Sequence, residues 1–415
     1  MKNQEDKINV LFLGKFYPEG LLKTVKEDSK GKVGFSNHNF ELSIIKGLIK
    51  QQDINLRVLT APGVYSYPHN NNKFFTKAER YLYKGTPIRS VGFCNLMIIN
   101  KIILTISLCL GIIKEFRKYD GKRINVILNT PSLFHMIALS IAQMLTSKQI
   151  DKTLIIPDIP SFVSGMDKMN VLKRCFVSIQ DGISMRLAEG FDHFVLLTEK
   201  MKDLFKKKID YIVMEGIIDV EENDTNDTTD KKASNKKIVL YTGTLRKIFG
   251  VMNLVHAFDV EGFDDAELHI CGSGEAANEI AERASKNTNI KFHGLVDSEK
   301  ARVLQHNATI LVNPRTSEGE YTQYSFPSKT MEYLLTGNAT IINRLPGIPE
   351  EYYNYVFTPC NESVASMRTV IRQVLDMSDE ERQSYGAKGK EFILKRKNSE
   401  VQTARIIEMI KSKKL

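Results

Sequence analysis

The stretch Y-S-F-P-S-K-T-M-E-Y, residues 324–333, decides the fold because it combines hydroxyl groups, a lysine and a carboxylate at the predicted start of a helix. Pro327 suits the first turn of a helix, where its missing N–H is no loss. Apolar residues at helical spacing follow. Ser325, Ser328 and Lys329 would then lie at a helix N-terminus, which attracts anions such as phosphate. The alternative is a capped surface helix with its lysine in solvent.

Length and composition are typical of a folded protein with two domains. The chain has 415 residues, enough for two cores, and 42% of its residues are hydrophobic and 26% charged. Its net charge of +9 favours anionic partners. These could be nucleotides, nucleic acid or an anionic membrane, and the charge alone does not separate them.

The cysteines and the N-terminus indicate a reducing compartment. The five cysteines are far apart and form no C-x-x-C pair or Cys/His cluster, which indicates neither a disulfide framework nor a zinc site. A charged N-terminus that leads directly into a strand argues against a signal peptide. No apolar run reaches the roughly 18 residues of a membrane-spanning helix. We therefore predict a cytoplasmic protein.

The first half of the chain alternates apolar runs with helical stripes, which favours a doubly wound α/β domain. The loop after the first strand contains Gly34, and such loops at the carboxyl ends of strands line a ligand crevice. No G-x-G-x-x-G follows this strand, so the dinucleotide-binding fingerprint is missing. Polar turns after two later strands contain His135 and Asp158, which could contact a substrate. Alternatively, the histidine packs and the aspartate caps its turn.

The most apolar part of the chain is residues 96–113, and Lys114, Arg117 and Lys118 follow it. We predict a buried helix packed on the sheet. The alternative is a helix that lies on a membrane surface, with its basic end against anionic lipid.

A polar segment divides the chain. Residues 221–237 contain no large apolar side chain, which is typical of a solvated linker or an exposed loop. The predicted organisation is a first domain of residues 1–220, this linker, a second domain of residues 238–385 and C-terminal helices over residues 386–415.

Glycine-rich or polar turns follow each predicted strand of the second half at the same end. Adjacent cations in such a turn can bind a diphosphate, and bare glycine backbone lets a ligand approach closely. The turn residues are Gly243, Thr244, Arg246 and Lys247 after the first strand, Gly272 and Ser273 after the second, and Gly294 after the third.

The second half of the chain resembles the nucleotide-sugar domain of retaining GT-B glycosyltransferases. The resemblance is carried by the order of these turns and by the two segments that follow them, S-F-P-S-K-T-M-E-Y and L-P-G-I-P-E-E-Y. The likeness is to the E-x7-E family, family 4, with its bacterial capsule and exopolysaccharide enzymes. Its motifs cover residues 241–353, and the order of elements covers the whole chain. The resemblance implies an α/β fold of two Rossmann-like, doubly wound domains that face one another across a cleft, with the last helix crossing back to the first domain.

The resemblance also implies roles for individual residues. Glu332, the second glutamate of the motif, would hold the ribose hydroxyls of the donor. The implied sets are Arg246, Lys247 and Lys329 as catalytic cations; Gly243, Thr244, Gly272, Ser273, Gly294, Tyr324, Ser325, Phe326, Ser328 and Glu332 as donor-binding residues; and Gly34, His135 and Asp158 on the acceptor side.

One departure from the family concerns the transferred sugar. The first glutamate of the E-x7-E pattern falls at position 324, where this chain has Tyr324. Glu318 or Glu320 could take its role in gripping the sugar. The change is also consistent with a different donor sugar or with lost activity.

A second departure concerns charge. Phe249 stands where the family has a lysine before glycine, which leaves Lys247 or Lys329 to supply that charge. No D-x-D pair ends a strand, so we predict a reaction without metal or cofactor. The cations and the helix N-terminus would stabilise the leaving nucleotide diphosphate.

We therefore predict a hexosyltransferase that moves sugar from a UDP- or GDP-sugar to a glycan or lipid-linked acceptor, with no nucleic-acid partner. It would make cell-surface polysaccharide in the cytoplasm and could associate peripherally with the inner membrane. Two alternatives stay open: a catalytically silent sugar-nucleotide-binding partner, favoured by Tyr324, and a GT-B nucleotide-sugar epimerase. The epimerase would need more acid/base groups than His135 and Asp158 provide. An NAD-dependent oxidoreductase lacks its fingerprint glycines.

Overall fold

The computed structural model describes residues 7–28, 35–64, 66–67, 70–71, 75–76, 78–97, 99–119, 121, 123–159, 171–219 and 236–412. The chain forms two compact units. Unit 1 consists of Met1–Asp219 together with Asn398–Leu415, and unit 2 consists of Val220–Lys397. The last segment of the chain therefore belongs to the same unit as the first.

Unit 1 contains an eight-stranded sheet in the order β10-β9-β8-β7-β1-β2-β5-β4, parallel except for β4, which pairs antiparallel with β5. The central strands are almost continuously buried, as expected for parallel strands covered on both faces. The strands are β1 Ile8–Gly14, β2 Ile54–Thr60, β4 Arg80–Tyr83, β5 Thr86–Ser90, β7 Arg123–Asn129, β8 Gln149–Ile156, β9 His193–Leu196 and β10 Asp210–Val213, and β3 Phe75–Thr76 pairs with β6 Phe93–Cys94 in a separate sheet.

The helices of unit 1 divide between the two faces of the sheet. The connections β5 to β7, β7 to β8 and β8 to β9 all advance in one direction along the sheet, so right-handed crossovers place α3, α4 and α5 on one face. The connection from β1 to β2 runs the other way, and α2 covers the opposite face with α12. These helices are α1 Glu19–Asp28, α2 Phe35–Lys50, α3 Ile99–Phe116, α4 Leu133–Thr146, α5 Val171–Ala188 and α12 Ser399–Ser412.

The last helix, α12, is held to α2 by close backbone packing. A Cβ atom at Gly47 on α2 would lie 2.1 Å from the carbonyl oxygen of Ser399, so only glycine allows this approach. Gln51 Nε2 donates a hydrogen bond to the carbonyl oxygen of Glu400 at 3.0 Å. Ile406 and Ile410 lie in the same core as the inner side chains of β1. The C-terminal segment is therefore part of the core of unit 1.

Unit 2 contains a five-stranded parallel sheet in the order β13-β12-β11-β14-β15. The chain moves outward from β11 to β13 and then returns to the other side of β11, so the strand order reverses between β11 and β14. Ligands of open α/β sheets bind at such a switch point, outside the carboxyl ends of the strands. The elements are β11 Lys237–Thr242, α6 Val251–Phe258, β12 Ala266–Cys271, α7 Ala277–Lys286, β13 Ile290–Gly294, α8 Ser298–Asn307, β14 Ile310–Asn313, α9 Lys329–Thr336, β15 Ala339–Ile342, α10 Val364–Asp376 and α11 Asp379–Arg396.

The predicted α/β class with parallel sheets is confirmed, and two local expectations need correction. The helix expected to be buried, α3, packs Leu104 and Ile112 into the core but exposes its opposite side. Most of the predicted polar linker lies outside the described residues, and its last residue, Lys237, already begins β11. None of the described helices is long and apolar enough to cross a lipid bilayer.

We predict that Gly47→Ala destabilises unit 1 by about 1–3 kcal/mol, because the new methyl group overlaps the Ser399 carbonyl. Limited proteolysis would show earlier release of the C-terminal segment, and thermal unfolding would start at a lower temperature. The matched control is Gly182→Ala in α5, where an added Cβ meets no atom within 4 Å. Replacing glycine by alanine favours the helix and raises the free energy of unfolding by about 0.5–1 kcal/mol. Similar behaviour of the two variants would contradict the packing argument.

Candidate functional site

Tyr333 connects the 324–333 stretch to the end of β11. Its buried hydroxyl accepts a hydrogen bond from the N–H of Thr242 at 2.9 Å and donates one to the carbonyl oxygen of the same residue at 3.2 Å. The Thr242 hydroxyl in turn accepts a hydrogen bond from Gln305 Nε2 at 2.7 Å. Helix α9 is thereby fixed beside the carboxyl end of the central strand.

The start of α9 presents unused hydrogen-bond donors. The helix begins at Lys329 with Ser328 as N-cap, so Pro327 precedes the first turn rather than lying in it. Before the helix, the chain makes a turn in which the Thr330 N–H donates a hydrogen bond to the Pro327 carbonyl oxygen. Within the described residues, nothing accepts a hydrogen bond from the N–H groups of Phe326, Ser328 and Lys329. Such groups at a helix N-terminus bind anions.

The side chains of this stretch differ in what they can contact. Tyr324 and Phe326 are buried, and the Phe326 ring packs on Tyr352 with 5.3 Å between centroids. Lys329 and Glu332 are partly exposed and form an ion pair, with 2.5 Å between Nζ and Oε2. The tyrosine at the position of the first motif glutamate therefore packs into the unit, and Lys329 and Glu332 remain accessible. Glu318 and Glu320, the suggested substitutes, are both exposed.

The predicted glycine turns lie side by side. Gly243 N–H donates to the carbonyl of Cys271 at 3.0 Å, and Gly272 N–H donates to the carbonyl of Gly294 at 2.7 Å. Gly272 has a φ of 146°, and a Cβ atom there would lie 1.8 Å from the Gly243 carbonyl oxygen. The structure thus brings together the strand-end turns that the sequence predicted separately. Thr244 and Ser273 are exposed within them.

The two predicted cations of the first turn have different surroundings. Lys247 lies in a short 3-10 helix, and its Nζ forms an ion pair with Glu279 of α7 at 2.7 Å. Hydrogen bonding to this carboxylate raises the pKa of Lys247. The Arg246 guanidinium lies over the ring of Phe249, 5.4 Å from its centroid. The Lys247 ammonium therefore lies beside a carboxylate, while the Arg246 guanidinium is stacked on an aromatic ring.

Arg315, just after β14, is a candidate that sequence reasoning missed. Its guanidinium lies 5.1 Å from the Phe249 centroid and 5.0 Å from that of Tyr321, and its Nη2 donates a hydrogen bond to the Ser325 hydroxyl at 2.8 Å. Burial lowers the pKa of Arg315. Among the described residues, no carboxylate pairs with it and its Nε has no hydrogen-bond partner. A half-buried cation without a counter-ion is suited to receive an anion.

The packing of Gly250 explains how Arg315 reaches Phe249. Gly250 has a φ of 70°, and a Cβ atom there would lie 2.2 Å from the Pro314 carbonyl oxygen. The turn after β11 therefore packs directly on the turn after β14. The signal in the sequence was N-P-R at the end of β14, since the rule that strand-end turns share one edge applies there as well.

In unit 1, Gly34 lies outside the described residues, and Asp158 is exposed two residues beyond β8. His135 is buried in the first turn of α4, with its Nδ1 3.0 Å from the Ser132 hydroxyl. Burial, and secondly the charge of Lys15, lower the pKa of His135 to about 3. The histidine is therefore neutral near pH 7, where it can take part in hydrogen bonds but does not carry charge.

Glu41 of α2 is a second residue that the sequence analysis missed. It is 1% exposed and lies beside the ends of β1 and β7. Its Oε2 accepts hydrogen bonds from the N–H groups of Lys15 and Phe16 at 2.7 and 2.9 Å, and its Oε1 accepts one from Asn129 Nδ2 at 2.7 Å. Burial raises the pKa of Glu41 to about 7. The available signal was a carboxylate at helical spacing with the buried residues Ile45 and Leu48.

We predict that Glu41→Gln changes how stability depends on pH. The Glu41 pKa rises from 4.5 to about 7 on folding, so the folded protein keeps a proton that the unfolded chain releases. Stability from this group is complete below about pH 4.5 and falls as pH rises to about 7, by up to about 3 kcal/mol. Glutamine does not titrate, so the free energy of unfolding of the variant rises relative to that of the parent as pH increases. Thermal unfolding of both proteins across this range measures the effect, and parallel curves would contradict it.

Comparisons with known proteins were made for both sequence and fold. Residues 222–392 match the family described as "Glycosyl transferases group 1". No curated protein shows significant sequence similarity to the chain.

Several solved structures have a similar fold over nearly the whole chain. HepE from Anabaena, solved in complex with UDP, gives a TM-score of 0.60 at 13% identity, covering 98% of this chain and 100% of HepE. Sucrose-phosphate synthase from Thermosynechococcus elongatus gives a TM-score of 0.58 at 13% identity, covering 97% of this chain and 98% of the synthase. The lipopolysaccharide outer core galactosyltransferase WaaB gives 0.56 at 13% identity, with 98% and 100% covered. Residues 222–392 thus match a glycosyl transferases group 1 domain, in a chain with the GT-B fold.

Proposed function

We propose that the protein is a glycosyltransferase that moves a sugar from a UDP- or GDP-sugar to an acceptor hydroxyl. The observation that carries this proposal is the grouping at the carboxyl edge of unit 2: the free N–H groups of α9, the glycine turns and the unpaired guanidinium of Arg315. The match of residues 222–392 to group 1 glycosyl transferases supports it. The similarity in fold to HepE, which was solved with UDP, agrees with a nucleotide ligand.

The donor would replace contacts that the residues now make with each other. The Glu332 carboxylate, released from Lys329, accepts hydrogen bonds from the two ribose hydroxyls. Lys329 then turns to the diphosphate, whose oxygens also accept hydrogen bonds from the N–H groups of Ser328 and Lys329. The ion pair lies at the surface and is worth no more than about 1 kcal/mol, so breaking it costs little.

Transfer breaks the bond between the anomeric carbon and the diphosphate oxygen, and the electron pair stays on the diphosphate. The acceptor oxygen forms the new bond and loses its proton. Arg246, Arg315 and Lys329 stabilise the charge that grows on the leaving group, so we propose a reaction without a metal ion. Arg315 takes the role of the cation that the family has at Phe249. The retaining stereochemistry rests on the family resemblance.

The same resemblance supports a hexosyl donor and a glycan or lipid-linked acceptor in the synthesis of bacterial capsule or exopolysaccharide, on the cytoplasmic side of the membrane.

A specific observation favours one other candidate function. Tyr324, where the family has the glutamate that grips the sugar, is buried. A protein that binds sugar nucleotide without turning it over would tolerate this loss.

We predict that Glu332→Ala and Lys329→Ala each weaken UDP or GDP binding by about tenfold, because each removes charge-assisted hydrogen bonds to the nucleotide. Isothermal titration calorimetry measures the affinity. The matched controls are Glu391→Ala and Lys395→Ala, which remove an exposed ion pair from α11. Nucleotide binding that is unchanged in the α9 variants would rule out this site.

We also predict that Arg315→Met lowers the rate of donor hydrolysis or transfer by about 10²-fold, because it removes a cation aimed at the leaving group. Lys247→Met serves as the comparison and is expected to change the rate only a few-fold, because the Lys247 ammonium lies beside Glu279 of α7, whereas the Arg315 guanidinium contacts Ser325 next to the start of α9. Release of UDP or GDP from a panel of sugar nucleotides, with and without acceptor extracts, gives the rates. Equal losses would show that Lys247 contributes as much as Arg315 and would contradict the special role given to Arg315. Binding without any turnover would support the silent partner.

A further inference from the structure

Unit 1 carries an extended apolar surface on the side of α3, α4 and α5 that faces away from the sheet. We call it the apolar face and define it by Ile102, Ile106, Leu110, Met144, Leu145 and Ile179. Ile102 and Leu110 are each 62% exposed, and Met144 is 83% exposed. Exposed apolar patches of this kind mark sites of interaction with proteins or membranes.

The three helices contribute to one continuous layer. They lie on the same face of the sheet, and α4 packs between α3 and α5. The buried side of α3 includes Leu104, Leu108 and Ile112, and the buried side of α4 includes Ala138 and Leu139. The exposed apolar residues are therefore additional to those needed for the core. A helix that is apolar on both sides requires a second apolar environment beside the protein core.

The exposed charges on and just after α3 are all positive. Helix α4 contains no charged residue from Leu133 to Thr146. Lys101, Lys114 and Arg117 are exposed on or just after α3, whose single carboxylate, Glu115, is buried in an ion pair with Arg57 at 2.7 Å. In the described part of the three helices, no carboxylate is exposed. The face thus combines apolar side chains with exposed cations, and the only partly exposed carboxylate in the described part of the three helices is Asp181 of α5.

We propose that the apolar face docks on the surface of an anionic lipid bilayer. Its side chains enter the boundary between headgroups and acyl chains, and the bordering cations contact anionic headgroups. The charge pattern favours lipid over a second copy of the chain. A symmetric dimer through this face would bring the cationic border of one copy close to that of the other. The proposal does not depend on the reaction in unit 2.

The absence of tryptophan from the chain allows a direct test, since a single introduced tryptophan reports its own surroundings. The variants are Ile106→Trp on the apolar face and, as matched control, Leu295→Trp in unit 2, where the leucine is 78% exposed. The vesicles contain phosphatidylcholine alone or an equal mixture with phosphatidylglycerol. With the mixed vesicles, tryptophan emission shifts to shorter wavelength in Ile106→Trp and stays unchanged in Leu295→Trp. No shift at Ile106→Trp overturns the proposal.

A second measurement uses removal of apolar side chains. The triple variant Ile106→Gln, Leu110→Gln and Met144→Gln changes only exposed positions, so the fold is kept. We expect its co-sedimentation with the mixed vesicles to fall about tenfold or more, and that of Leu295→Gln to equal the parent. Binding by the parent also weakens as salt is raised. A dimeric parent that becomes monomeric in the triple variant and binds no vesicles would instead assign the face to a second copy.

Discussion

The two hydrogen bonds between the Tyr333 hydroxyl and the backbone of Thr242 hold the candidate site together. At the end of β11, the N–H and carbonyl groups of Thr242 need partners once the strand ladder stops. A single buried hydroxyl satisfies both, because it accepts one hydrogen bond and donates the other. Burial raises the pKa of Tyr333, which keeps the donated proton in place. The first turn of α9 is thus fixed relative to the turn that begins at Gly243.

With these two elements fixed, two positive charges of the site lie around Phe249. The aromatic ring lies close to the guanidinium groups of both Arg246 and Arg315. Stacking on aromatic faces stabilises a guanidinium without neutralising its charge, which a carboxylate would do. A half-buried cation that keeps its charge raises the free energy of the empty site, and a bound anion would lower it. Phe249 therefore groups two guanidinium charges around one aromatic ring.

Much of this arrangement could be predicted from the sequence, since buried parallel strands are read from continuous apolar runs and their turns must meet at one edge. The start of α9 and the glycine turns follow from that rule. The same rule places Arg315 at this edge, but its surroundings could not be predicted, because the rings of Phe249 and Tyr321 come near it only on folding. The exposed side of α3 could not be predicted either, because a helix that is apolar on both sides does not indicate which side packs on the protein core.

The two units place different polar groups at the carboxyl ends of their central strands. In unit 2, that edge offers a half-buried guanidinium and free N–H groups, which suit a diphosphate. In unit 1, the corresponding edge holds a neutral His135 and the carboxyl group of Glu41, whose pKa is raised to about 7. Rotating the Asn129 amide by half a turn would let its oxygen, which lacks a partner among the described residues, accept the proton of a neutral Glu41. With the charge of Lys15 close to both groups, this edge combines a neutral imidazole, a carboxyl group that changes protonation near pH 7 and one ammonium group. The two edges therefore differ in their electrostatics, because the edge of unit 2 carries guanidinium charge and no carboxylate pairs with Arg315 among the described residues.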